Sequence, residues 1–119
     1  MTKRTIGGAV IGYGGMGNFH SEKMQTVDGI ELIGVYDIDP KQNELAKSRG
    51  IHAYASREEL LADPRIDLVT VATPNDVHKE IVIAALAAGK NVICEKPVAM
   101  NSAELDEMIA AANKYGKLF

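Results

Sequence analysis

Val10-Ile11-Gly12-Tyr13-Gly14-Gly15-Met16-Gly17 is the stretch on which the fold turns. It fits the pattern G-x-G-x-x-G, and each glycine has a mechanical task. Gly12 allows a tight turn, Gly14 lets backbone approach a bound pyrophosphate, and Gly17 lets the following helix pack on the preceding strand. The pattern is specific only with a strand before it and a helix after it. Both are present: Ile6 to Ile11 is a short apolar run of buried-strand type, and Met16, Phe19, Met24 and Val27 follow near one face of a helix that Gly29 closes.

Working outward, Glu31 to Tyr36 reads as a second strand. Asp39, Pro40 and Gln42 supply a cap oxygen, a first-turn proline and a return acceptor for a helix that stops at Gly50. Ile51 to Tyr54 is a brief third strand, and Ser56 with Glu59 boxes the start of a short helix through about Ala62. Asp67 to Ala72 is the fourth strand. Beyond Thr73-Pro74-Asn75 runs an Ala-rich helix to Gly89, and Asn91 to Cys94 is the fifth strand. Asn101 and Glu104 start a last helix that Gly116 ends, and Lys117-Leu118-Phe119 begins a sixth strand. This alternation, with no hairpin signal, predicts an α/β fold: a doubly wound parallel sheet in one domain, residues 1–119, with helices on both faces. The carboxyl ends of the strands then share one edge, where ligands bind, so Gly12, Asp37, Thr73 and Lys96 gather there.

Asp37 follows Gly17 by twenty residues at the end of the second strand, the place from which an acid accepts hydrogen bonds from an adenosine ribose. Its carboxylate repels a 2′-phosphate, and its neighbour Ile38 is no arginine to attract one. NAD is therefore expected over NADP. A methyltransferase also carries a glycine loop and an acid after its second strand, but has no need of the third glycine. At the fourth strand end, Thr73 or Asn75 caps a helix, Pro74 fixes its first turn and Asp76 favours its dipole; on that structural account His78 is an exposed helical residue. The same strand end also lies against the nicotinamide side of a bound cofactor. Glu95-Lys96-Pro97 follows the fifth strand. An ammonium there can hydrogen-bond a substrate hydroxyl, stabilise a developing alkoxide and relay its proton, and Pro97 restricts the backbone that carries it.

Composition narrows the partners. In 119 residues, 13 Lys and Arg stand against 16 Asp and Glu, a formal charge of −3 with no basic block. With no Trp and few aromatics to stack bases, nucleic acid is not an expected partner. The longest apolar run, Ile81 to Ala88, is far short of the ~20 residues of a membrane span. Lone Cys94 has no partner for a disulfide or a closed zinc site and reads as a small buried residue, consistent with a reducing, cytoplasmic setting. His20 and His52 lack neighbours at ligand spacing, so no metal is expected.

Taken together, Val10 to Gly17 with His20, Tyr36-Asp37, Ala72-Thr73-Pro74-Asn75 with His78, and Cys94-Glu95-Lys96-Pro97 resemble the N-terminal Rossmann domain of the Gfo/Idh/MocA oxidoreductases. This family includes glucose-fructose oxidoreductase and inositol dehydrogenases. The resemblance covers essentially the whole chain, and Glu-Lys-Pro is its most specific part. It implies that Gly12, Tyr13, Gly14, Gly15, Met16 and Gly17 bind the pyrophosphate and that Asp37 and Ile38 bind the adenosine ribose. It further implies that Thr73, Pro74, Asn75 and His78 line the cofactor, that Glu95 and Lys96 lie by the nicotinamide, and that Lys96 is the catalytic lysine, before a cis Lys96–Pro97 peptide. The implied reaction passes a hydride between nicotinamide and a hydroxyl-bearing carbon of a sugar or cyclitol.

Family members place a second α/β domain directly after this one. It brings most of the substrate pocket, the oligomer interface and further catalytic residues, typically an Asp and a His. The expectation is thus a cofactor-binding portion of a homo-oligomeric dehydrogenase, able to bind NAD and nearly inactive by itself. A stand-alone NAD-sensing module is the alternative, against which the positioned Lys96 argues.

Overall fold

The computed structural model describes residues 6–13, 15–26, 28–73, 78–94 and 102–119. Its elements run β1 (Ile6–Ile11), α1 (Gly15–Thr26), β2 (Ile30–Tyr36), α2 (Pro40–Ser48), α3 (Arg57–Ala62), β3 (Leu68–Val71), α4 (His78–Ala87), β4 (Asn91–Cys94) and α5 (Ser102–Tyr115). The strands form one parallel sheet in the order β2-β1-β3-β4. Parallel neighbours need crossovers, and the helices between them supply these on both faces.

Alternation along each strand sorts the core into two layers. Val10 and Val35 point to one face, where Met24 of α1 and Ala46 of α2 cover them together with the ring of Tyr13. Ala9, Ile11, Val69, Val71 and Val92 point to the other, under Leu60 and Leu61 of α3, Ile81, Val82, Ala85 and Leu86 of α4, and Met108, Ala111 and Ala112 of α5. A central strand buried on both faces reads as the near-continuous apolar run seen in β1. Met24 packs inside as the helical spacing predicts; the side chains of Met16 and Phe19, and Val27 altogether, lie outside the described residues.

The expected third strand is corrected. Ile51 to Tyr54 makes a single parallel bridge, Ala53 to Val35, held by Val35 N–H to the His52 carbonyl and Tyr54 N–H to the Val35 carbonyl, both 2.9 Å. The chain then turns away to the cap at Ser56 with no further ladder bond to β2, so among the described residues the sheet has four strands and not five. The strand expected over Asp67–Ala72 is Leu68–Val71; Asp67 instead spends a carboxylate oxygen on the Gly7 N–H at 3.0 Å. Leu118 lies beside the outer edge of β4, where its carbonyl accepts from Val92 N–H at 2.9 Å and its N–H donates to Asn91 Oδ1.

Helix ends follow the local chemistry. Asp39 caps α2 by accepting from Lys41 N–H at 3.0 Å, with Pro40 in the first turn, and Ser56 caps α3 by accepting from Glu59 N–H at 3.0 Å. The return bond expected from Gln42 is replaced: the Asp39 N–H donates to Asp37 Oδ1 at 2.8 Å. Asn101, expected to open α5, lies outside the described residues. Among the described residues no helix is long and apolar enough to cross a membrane.

Candidate cofactor cleft

The carboxyl ends of β1, β2 and β3 open onto a cleft of about 660 Å³. Its floor is Ile11, Gly12 and Tyr36; the β2–α2 turn contributes Asp37, Ile38, Asp39 and Gln42; α3 and α4 contribute Arg57, Glu58, Glu80 and Ile81; Ala72 and Thr73 close the end of β3.

Two glycines of the loop have no substitute. Gly12 sits at φ +96, and a Cβ there would come within 2.8 Å of the Ala72 backbone. A Cβ on Gly17 would run into the Gly12 carbonyl oxygen, so the first turn of α1 rests directly on the loop that leaves β1. That contact sets the first turn of α1 beside the end of β1, and the start of a helix offers N–H groups and a positive dipole end to an anion. Gly14 lies outside the described residues, as does the side chain of Met16, while Gly15 is described only as the first residue of α1.

Asp37 is tied to the same loop. Its Oδ2 accepts from Tyr13 N–H at 2.7 Å and its Oδ1 from Asp39 N–H, while its own N–H and carbonyl are clasped by the Asn43 side chain at 2.9 and 2.8 Å. A carboxylate accepts about four hydrogen bonds, so capacity remains for ribose hydroxyls. Ile38 is 88% exposed at the lip of the cleft. Tyr13 turns its ring into the core under Arg49, whose Nη1 donates to the phenol oxygen at 3.0 Å, which leaves its backbone as the part facing the loop.

His78 corrects the expectation of an exposed helical residue. It is fully buried at the start of α4, and its Nε2 meets the Thr73 carbonyl at 2.6 Å. A carbonyl only accepts, so this nitrogen carries the proton in that contact. Thr73 Oγ1 is buried beside the cleft with no hydrogen-bond partner among the described residues. Pro74, Asn75, Glu95 and Lys96, and with them the Lys96–Pro97 peptide, lie outside the described residues. Cys94 is half-buried at the end of β4.

These features fit a dinucleotide. Gly12 and Gly17 admit no Cβ, the first turn of α1 lies beside them, an acid stands at the second strand end, and the Thr73 hydroxyl is unsatisfied among the described residues. Reasoning from sequence did not single out Arg57, Glu58, Gln42 or Glu80 as cleft residues. The edge rule reaches Arg57, since it follows the short extended segment at Ile51 to Tyr54, but not Glu80, which stands in the first turn of a helix.

Comparison with known proteins agrees with this geometry. Myo-inositol 2-dehydrogenase of Thermotoga maritima is 36% identical over 107 residues, which cover 88% of this chain and 32% of that enzyme. An NAD-binding protein from Listeria innocua superposes with a TM-score of 0.94 at 43% identity, over 98% of this chain and 34% of that one. GenD2 of gentamicin A biosynthesis, solved in complex with NAD, gives 0.89 at 34% identity over 96% and 33%. The chain thus spans about a third of the length of these relatives. Residues 6–119 match the model of the oxidoreductase family with an NAD-binding Rossmann fold, and the chain belongs to that Gfo/Idh/MocA family.

Proposed function

We propose that this chain is the cofactor-binding domain of an NAD-dependent dehydrogenase that oxidises or reduces a hydroxyl-bearing carbon of a sugar or cyclitol. The observation that carries the reading is the loop at Gly12, seated on Ala72 and Thr73, with Gly17 packed on its carbonyl and Asp37 bonded to its Tyr13 N–H. The relative named an inositol dehydrogenase supports the substrate class, and the one solved with NAD supports the cofactor.

In this reading Gly12 to Gly17 and the amino end of α1 hold the pyrophosphate. Asp37 and Ile38 hold the adenosine ribose, and Thr73, Pro74 and Asn75 line the cofactor. His78 acts from behind by fixing the Thr73 carbonyl. NAD supplies the hydride chemistry at its nicotinamide ring. Lys96, with Glu95 beside it, binds the substrate hydroxyl, stabilises negative charge at its oxygen and moves its proton. Four carboxylates and one guanidinium line the cleft, which disfavours the extra phosphate of NADP. The substrate pocket and an oligomer interface belong to a second domain, and the setting is cytoplasmic.

The test is to give the 119-residue chain NAD and a polyol such as myo-inositol. NAD binding without NADH formation is expected. Steady NADH formation would place the whole substrate site within these residues and contradict the division of labour; failure to bind NAD would remove the cofactor reading itself.

A further inference from the structure

Arg57 opens α3 and lines the cleft from the side of α3 and α4, while Asp37 and Ile38 line it from the β2–α2 turn. Its side chain is 24% exposed, and its Nη2 lies 3.3 Å from Glu80 Oε1 and 3.7 Å from Glu58 Oε1. An arginine in a nucleotide cleft can do one of two things: grip a phosphate through its N–H edge, or stack its flat face on a base. Nη2 of Arg57 already donates to Glu80 and has the Glu58 carboxylate close by, and Asp37 and Asp39 add negative charge to the same cleft. A phosphate would have to displace Glu80 and then sit among acids. A carboxylate that pairs with a guanidinium in its plane leaves the flat faces for other contacts. Held by Glu80 from the next helix, the planar group loses less freedom on stacking than a solvated arginine does.

We propose that Arg57 is the adenine-stacking residue of this cleft, its guanidinium face against the base with the exposed Ile38 side chain offering the apolar contact from the β2–α2 side. Glu80 and Glu58 are its positioning residues. This assignment rests on the cofactor reading above and adds to it a recognition element for the base. It also accounts for an arginine in a cleft that selects against a 2′-phosphate: the charge is spent on Glu80 and Glu58, and the flat face is what the ligand meets.

Isothermal titration of Arg57→Met and Arg57→Lys with NAD and with NADP tests it, each variant first checked for an unchanged fold by circular dichroism. Stacking needs the planar group. Both variants should lose about tenfold in NAD affinity, lysine doing no better than methionine, with the ratio of NAD to NADP affinity unchanged. Unchanged NAD affinity in Arg57→Met overturns the proposal. So does the pattern of a phosphate grip, in which lysine keeps NADP binding and methionine loses it selectively. If the wild-type chain binds no NAD, the cofactor reading fails, and that failure is visible before any variant is compared.

Discussion

The carboxylate of Asp37 is held before any ligand arrives. One oxygen takes the Tyr13 N–H of the glycine loop, the other the N–H of the cap residue Asp39, and Asn43 clasps the backbone on both sides. A residue so placed keeps its geometry at little further entropic cost on binding. Elsewhere single residues do purely structural work that the sequence conceals. Lys90 is buried and donates to the carbonyls of Asp63 and Ile66 at 2.8 and 2.6 Å, and burial pushes its ammonium down from its usual range. The Tyr54 phenol donates to Asp63 Oδ2 at 2.6 Å. Burial first, and then the Asp63 carboxylate, push that phenol from 10.0 up to about 12, while the Arg65 guanidinium holds Asp63 well below the usual carboxylate range. A raised phenol favours the folded state fully below its unfolded value near 10, and that contribution is lost as pH climbs through 12. For Asp63 the sign is opposite: its contribution is present above 3.8 and fades as pH falls below it. The difference in phenolate absorbance between wild type and Tyr54→Phe after a rapid pH jump should show a midpoint near 12; a midpoint near 10 contradicts the buried bond.

At the scale of elements, the helix caps were readable because a cap is local chemistry. Ser56 with Glu59 starts α3 where expected, Asp39 and Pro40 start α2, and Asn91–Cys94 is a strand with the bounds that its composition suggests. The segment Ile51 to Tyr54 differs from the expected strand because pairing is a tertiary event that its composition does not report: it meets β2 only at the Val35–Ala53 bridge. Here Gly34 faces the Tyr54 ring and the His52 carbonyl, close enough that a Cβ would come within 2.6 Å of the ring, so glycine is what lets the segment approach β2 at that bridge. His78 was misread for a related reason: whether the first turn of α4 faces water or the β3 end is a matter of docking, and no local signal reports it. The six residues of α3 make fewer than two turns, so its cap should count heavily. Ser56→Ala should cost about 1 kcal/mol in urea unfolding. No change would mean that packing of Leu60 and Leu61 alone holds this helix.

For the whole molecule, the parallel order β2-β1-β3-β4 and the two-layer core follow from alternating strands and helices joined by right-handed crossovers, which is why the architecture was legible without coordinates. The glycine loop and Asp37 were legible too, since backbone conformation and charge dictate those residue types. The α3 and α4 wall of the cleft was not, because it is assembled from residues far apart in sequence, Arg57 and Glu80, that meet only after the sheet forms. The central claim is that this assembly binds NAD through the glycine loop and Asp37. Calorimetric titration of the chain with NAD and NADP tests it most directly: saturable one-site binding of NAD, tighter than that of NADP and weakened by Asp37→Ala, is the result expected, and equal or tighter binding of NADP, or no binding of NAD, is the result that contradicts it.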